Sequence, residues 1–335
     1  MNVLVTGASG FLGSHLVKAL LREGHVVHAF VRRPHSLPVE PQSNLEVAVG
    51  DIRDRRAVDE AVAGCDQVYH LAAVYRDGGA TKGEYWDVHV RGTEHVLDAC
   101  ATHRIKRLVH CSTMGVHGHV SRIPSNEDSP LNPGDEYQRT KQIAEERVWD
   151  FCRRHGIPFT VVRPAGIYGP GDLRFLKLFR AIQRGYFVML GSGETYYHLV
   201  YIDDLVDGFL RCGTQEAALG QAFLIGDRRY VTLNEFTAAV AEILHVAPPR
   251  WRLPVWPFYA AGAVCEAVCV PLRVQPPLFR RRVDFFTHDR AFDIAKARQA
   301  LGYEPQVGLE EGLRRTAEWY QSHGYLQVNG RAMTR

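Results

Sequence analysis

Met1-Asn2-Val3-Leu4-Val5-Thr6-Gly7-Ala8-Ser9-Gly10-Phe11-Leu12-Gly13 opens the chain, and its reading decides the fold. A short apolar run stops at a glycine-rich turn. A helical pattern follows at once, with Leu12, Leu16, Val17, Leu20 and Leu21 recurring at helical spacing. The unit is strand, tight loop, helix. The first N–H groups of a helix have no partner within it, and the helix dipole places partial positive charge on them. A diphosphate sits well on such a surface. Glycines at 7, 10 and 13 let the backbone approach closely and adopt positive φ. The spacing G-x-x-G-x-x-G differs from the more usual G-x-G-x-x-G, so taken alone it also fits a turn without a ligand.

Working outward, strand and helix signals alternate. Strands are expected at His25–Val31, Leu45–Asp51, Gln67–Ala73, Arg107–Thr113 and Phe159–Pro164, with helices over about 54–63, 84–103 and Asp135–Arg154 between them. This alternation predicts a doubly wound parallel sheet with right-handed crossovers, the Rossmann type of α/β fold. Beyond Gly169-Pro170-Gly171 the pattern loosens. Helices are expected at Leu173–Ile182, from Asp203 and from Val231, and at about 309–321, with short strands at Tyr186–Leu190, Tyr196–Tyr201 and Phe223–Ile225; the remainder reads as irregular. The expected division is a dinucleotide-binding domain over 1–170, rejoined by 204–226, a smaller substrate lobe from 171–203 and 227–327, and a polar tail over 328–335.

Composition sets limits. The chain has 335 residues, 46% of them hydrophobic and 23% charged, and a formal net charge of +3. These values are ordinary for a globular protein and argue against nucleic acid as a partner. Seven scattered cysteines without a C-x-x-C pair read as reduced thiols of a cytoplasmic protein. The first strand begins at residue 2 or 3 with no basic or long apolar leader, so no signal peptide is expected. Leu253–Leu272 is apolar, but Pro254, Pro257, Pro271 and Glu266 break it below the ~20 residues of a membrane span. It reads as a buried or lid-forming helix, with peripheral membrane contact as the other reading. His117-Gly118-His119 lacks the ligand set of a metal site, and none is expected.

Chemistry-bearing residues gather at the expected strand ends. Tyr137 and Lys141 lie four apart on one helix. An ammonium beside a phenol favours the phenolate, and such a tyrosine exchanges a proton with an alcohol or carbonyl oxygen. Thr113 ends the fifth strand, where its hydroxyl can bond the same oxygen; Ser112 is its rival. The second strand ends in Val31-Arg32-Arg33-Pro34 without an acid. An acid there would accept from the 2′-hydroxyl of NAD, whereas arginines suit the 2′-phosphate of NADP. The expectation is NAD(P), leaning to NADP.

Together these blocks resemble the extended short-chain dehydrogenase/reductase superfamily, also called the NAD-dependent epimerase/dehydratase family. The carriers are Thr6–Gly13, Gly50-Asp51-Ile52-Arg53-Asp54, His70-Leu71-Ala72-Ala73, Ser112-Thr113, Tyr137–Lys141, Arg163–Gly171 and Val200–Leu205. The resemblance implies that Gly7, Gly10, Phe11, Leu12 and Gly13 hold the diphosphate, and that Asp51 and Ile52 meet the adenine. It implies Leu71, Ala72, Ala73, Pro164 and Ile167 on the nicotinamide side, with Lys141 on its ribose. Tyr137, Lys141 and Thr113 become the catalytic triad, and a homodimer formed through helices 84–103 and 136–154 is expected.

The substrate is less legible. Nucleotide-sugar members carry an arginine in a Gly-x-Gly-x-x-x-Arg block; here Gly191–Val200 holds Tyr197 at that place. Tyr197, Arg174 and Arg290 are the candidate substrate-binding residues, with Arg281 a further source of charge. His89 stands where the family often has asparagine, and reads as a buried histidine bonded to backbone. One reading is a dehydrogenase or reductase resembling the 3β-hydroxysteroid dehydrogenase and dihydroflavonol reductase branches, with Trp251–Leu272 lining an apolar pocket or packing as core. The alternative is a nucleotide-sugar epimerase or dehydratase with tightly bound NAD. A non-catalytic dinucleotide sensor is a minor third.

Overall fold

The opening strand, β1 (Asn2–Thr6), lies inside a seven-stranded sheet. Its companions are β2 (Val26–Val31), β3 (Leu45–Val49), β4 (Gln67–His70), β5 (Arg107–Cys111), β6 (Phe159–Pro164) and β7 (Gln221–Ile225), in the order β7-β6-β5-β4-β1-β2-β3. Every pairing is parallel. The computed structural model describes residues 1–74, 81–269 and 280–327, apart from the side chains of Arg281 and Arg282. The expected tail over 328–335 and the end of the Leu253–Leu272 stretch lie outside the described residues.

The sheet is covered on both faces, as a parallel sheet requires. Helices Phe11–Arg22 and Ile202–Thr214 pack together on one face; Arg55–Val62, Gly92–Thr102 and Glu136–His155 cover the other. One apolar core gathers Leu16, Leu20, Leu205 and Phe209, the second Val58, Val96, Leu97 and Val148, all fully buried or nearly so. Strand order reverses between β1 and β4, and ligands bind beyond the carboxyl ends of strands at such a switch point. The loops after β1, β4, β5 and β6 all leave the sheet at that edge.

Several local expectations need correction. The long helix expected over 84–103 runs unbroken from Lys82 to Thr102, and only its middle, Trp86–Arg91, departs from α geometry as a π-type turn. Tyr196–Tyr201 divides at His198. Tyr196–Tyr197 pairs with Val231–Thr232, while Leu199–Tyr201 pairs with Gly166–Tyr168. The buried His198 ring, bonded to Asp227 O at 2.9 Å, fixes the break. The helix expected in the apolar stretch forms as Val255–Cys269, while the region after it, read as irregular, contains helices Arg280–Asp284 and Ala295–Leu301. Core packing of the apolar stretch is also overturned: in Val255–Cys269 only Gly262 is buried.

Candidate functional site

The glycine loop is shaped by close approach. Gly7 has φ +69°, and a Cβ there would lie 2.9 Å from the Ala72 backbone. A Cβ at Gly13 would lie 2.1 Å from Gly7 O. Gly10 N donates to Gly7 O at 2.9 Å, and the helix Phe11–Arg22 starts immediately after with no side-chain cap on its first N–H groups. Those donors face the switch point, and the cradle fits a diphosphate.

Thr6 ties this loop to the end of β4. Its Oγ1 accepts from Leu71 N and Ala72 N at 3.1 and 3.2 Å and contacts His70 Nδ1 at 2.8 Å. An oxygen receiving two N–H groups gives its own proton to His70 Nδ1. His70 Nε2 then donates to Thr93 Oγ1 at 3.0 Å. His70 is therefore a neutral Nε2–H tautomer, and burial pushes its pKa down to about 3.

The helix Glu136–His155 begins under an Asp135 cap, whose side chain accepts from Gln138 N at 2.8 Å. The cap sets Tyr137 in the first turn, facing the cleft. Lys141, one turn on, is buried and donates from Nζ to Cys111 O at 2.5 Å. Burial is the main cause holding its pKa below the ordinary value. Thr113 Oγ1 accepts from Gly115 N at 3.1 Å, capping its own turn, and lines the cleft. Ser112 differs: its hydroxyl donates to Glu145 Oε2 at 2.5 Å, in the interior.

His89, in the π-type turn, connects these parts. Thr140 Oγ1 donates to Glu136 O and Tyr137 O, so the His89 Nδ1 proton goes to Thr140 Oγ1 at 2.8 Å and Nε2 accepts from Val74 N at 3.1 Å. Its ring stands edge-on to Tyr137 at 5.3 Å, and Tyr85 meets Tyr137 at 6.2 Å. The backbone-bonded reading of His89 holds. Nothing in the sequence signals that it also contacts the Tyr137 ring.

A cleft of about 1260 Å³ runs along this edge. Of the sequence candidates it brings together Gly7, Gly10, Phe11, Leu12, Gly13, Leu71, Ala73, Thr113, Tyr137, Pro164, Ile167, Arg174, Tyr197 and Arg290. Lys141 lies behind the wall and Ala72 supports it from the backbone. Arg32 and Arg33 are exposed beyond β2. Asp51 forms a two-pronged pair with Arg53 at 2.9 and 2.7 Å; the Arg53 hydrogen bond is the first cause of its lowered pKa. Ile52 is buried against Gly92.

The far end of the cleft is aromatic, and of its lining only Tyr259 falls in the Trp251–Leu272 stretch expected to line an apolar pocket. Phe175, Leu178, Phe187, Tyr259, Phe285 and Phe286 line it. The Arg290 guanidinium sits 5.9 Å from the centre of the Tyr197 ring, and Arg290 N donates to Tyr196 O at 2.9 Å. A distant arginine thus stands beside the tyrosine that replaces the local one. Arg174 binds Asp172 at 2.6 Å and Ile167 O at 2.8 Å, with its guanidinium 5.4 Å from the centre of the Phe11 ring. The Arg281 side chain lies outside the described residues. Among the described residues, no group of three or more His, Cys, Asp or Glu is placed to hold a metal, and no helix is long and apolar enough to cross a membrane.

Five buried histidines predict an acid-sensitive fold. Burial is the chief cause lowering His70 and His89 to about 3 and His117 and His198 to about 4, and it holds His110 well below the ordinary value. The unfolded chain binds these protons near pH 6.5; the folded chain does not. Stability is therefore full above pH 6.5 and falls as pH drops toward 4, by up to about 1.4 kcal/mol per pH unit for each fully buried ring. Urea unfolding at pH 7.5 and 5.0 is expected to give a clearly lower midpoint at 5.0; equal midpoints would refute the buried neutral assignment.

Comparison with known proteins agrees with this architecture. The family model of the NAD dependent epimerase/dehydratase family matches residues 3–226. The chain is similar to a 3 beta-hydroxysteroid dehydrogenase/Delta 5→4-isomerase of Mycobacterium tuberculosis, 33% identical with 96% of this chain and 90% of that one covered. It is also similar to N-acetyl-alpha-D-glucosaminyl-diphospho-ditrans,octacis-undecaprenol 4-epimerase of Escherichia coli O157:H7, 29% identical with 96% of each chain covered. The solved structure of MoeE5 in complex with UDP-glucuronic acid and NAD superposes with a TM-score of 0.77 at 26% identity, over 96% of this chain and 100% of that one.

Proposed function

The chain belongs to the NAD-dependent epimerase/dehydratase family and is an enzyme of the extended short-chain dehydrogenase/reductase type; from that premise we propose that it transfers a hydride at a secondary alcohol or ketone carbon of a largely apolar substrate. The observation that carries this reading is the cleft itself. Tyr137 and Thr113 stand at one end beside the glycine loop, and the aromatic wall of Phe175, Phe187, Tyr259, Phe285 and Phe286 forms the other. Apolar walls with a few fixed polar groups are what a hydrophobic substrate requires.

Gly7, Gly10, Phe11, Leu12 and Gly13 would hold the dinucleotide diphosphate, Asp51 and Ile52 the adenine, and Leu71–Ala73, Pro164 and Ile167 the nicotinamide. The nicotinamide, when bound, supplies the hydride chemistry. In the oxidative direction the Tyr137 phenolate takes the hydroxyl proton as the C–H bond breaks; in reduction the phenol returns it. Thr113, whose oxygen is engaged as an acceptor in its turn, has its O–H to donate to the substrate oxygen. Lys141, fixed on Cys111 O, supplies the positive charge behind Tyr137 and the group for the nicotinamide ribose.

Arg32 and Arg33 support NADP over NAD. Titration of the purified protein is expected to give about tenfold or tighter binding of NADP⁺, the worth of one added charge-assisted contact to the 2′-phosphate. Equal affinities, or tighter NAD⁺, would sink this preference. The second reading, nucleotide-sugar epimerisation, is favoured by Arg290 beside Tyr197 and by the ligand of the MoeE5 neighbour. Product analysis separates them: an epimerase returns its cofactor unchanged at each turnover, whereas a dehydrogenase accumulates reduced dinucleotide. The same reading takes the seven-stranded sheet as the dinucleotide domain, residues 171–203 and 227–327 as the substrate lobe, and a cytoplasmic homodimer formed through Gly92–Thr102 and Glu136–His155.

A further inference from the structure

The helix Val255–Cys269 is unlike any other among the described residues. It is apolar around most of its circumference, yet it buries only Gly262. Trp256 is 73% exposed, Val264 64% and Val268 55%, and the adjoining strand leaves Trp251 69% exposed. A helix that is apolar on all sides is ordinarily surrounded by apolar matter. Among the described residues no helix is long and apolar enough to cross a bilayer. Its single acid, Glu266, is neutralised by Arg280 at 2.8 Å. Arg250 and Arg252 are exposed just before it, and Arg252 is held on the neutral acceptors Ser192 O and Asn234 Oδ1.

We infer that this face docks on the surface of an anionic phospholipid bilayer, with the helix lying in the plane of the interface. A broad apolar arc with tryptophan and tyrosine at its edge suits the headgroup–acyl boundary, where indole and phenol rings settle. Exposed arginines beside it keep their charge in the headgroup layer and attract anionic lipid. A protein groove would need only one apolar stripe. The face also reaches the cleft: Tyr259 belongs to this helix and lines the cavity next to Phe285 and Phe286. Docking therefore turns the apolar end of the cleft toward the bilayer.

Flotation of the full chain with vesicles tests this without any activity measurement, so it stands apart from the proposed reaction. The chain is expected to float with phosphatidylcholine vesicles containing phosphatidylglycerol, and more weakly with phosphatidylcholine alone. The variant W256S/V264S alters only exposed side chains and is expected to keep its thermal midpoint while losing about tenfold or more in partition. Arg250→Glu is expected to reduce the preference for phosphatidylglycerol. No flotation on either vesicle, or flotation that W256S/V264S leaves unchanged, would overturn the proposal. So would a dimer in sedimentation velocity that W256S/V264S dissociates, since the face would then belong to a second copy of the chain.

Discussion

Replacing Tyr137 with phenylalanine is expected to lower kcat by about two to four orders of magnitude, the range for removing a positioned acid–base, with little change in fold or dinucleotide affinity. The phenyl ring keeps the edge contacts with His89 and Tyr85 at 5.3 and 6.2 Å. Lys141 also keeps its bond to Cys111 O. What disappears is the oxygen that exchanges a proton with the substrate. Steady-state kinetics on an oxidisable alcohol, together with dinucleotide titration and thermal unfolding, separate these effects. If kcat were unchanged, Tyr137 would not be the acid–base.

The largest stability effect is expected at Glu145. Its carboxylate lies beneath the cleft wall, with Arg163 Nη2 at 2.6 Å, Ser112 Oγ at 2.5 Å and Trp149 Nε1 at 3.4 Å. Burial opposes its ionised form; the Arg163 and Ser112 hydrogen bonds more than reverse this, so its pKa stays below the ordinary value. Arg163 reaches on to Glu127 O at 2.9 Å and His117 Nε2 at 3.1 Å. Glu145→Ala strands a guanidinium in the interior and is expected to cost about 3–5 kcal/mol, read from urea unfolding. Glu145→Leu combined with Arg163→Met removes both charges and is expected to recover much of that loss. If the double variant were no better than the single one, the cost would come from packing and not from an orphaned charge.

This pair also settles the local geometry of Ser112 and Thr113. In sequence they are adjacent hydroxyls at a strand end. Side chains alternate across a strand, so one hydroxyl turns toward the interior and the other toward the cleft. The position of Glu145, on a helix 33 residues later, makes Ser112 the interior member. Tyr197 is a similar case. A local departure from the arginine pattern suggested missing charge, but a backbone bridge brings Arg290 in beside Tyr197, with its guanidinium 5.9 Å from the ring centre. No periodicity or motif connects positions so far apart.

Apolar composition misled most at Val255–Cys269. Hydrophobic residues predict burial only when something is available to cover them, and composition does not say what that is. His89 carried too little signal for a different reason. Its value lies in joining Val74, Thr140 and the Tyr137 ring, three contacts from two other segments of chain.

What the sequence determined by itself was local or repetitive. Glycines at 7, 10 and 13, the alternation of strand and helix, and Tyr137 and Lys141 one turn apart all express short-range backbone physics, and these define a doubly wound sheet with a loop shaped for diphosphate. The tertiary structure alone decided which hydroxyl faces the cleft, which arginine stands beside Tyr197, and that an apolar helix lies outside the core. Each of those outcomes depends on side chains from distant segments meeting in space, and that meeting is set by packing of the whole chain and not by the order of neighbouring residues.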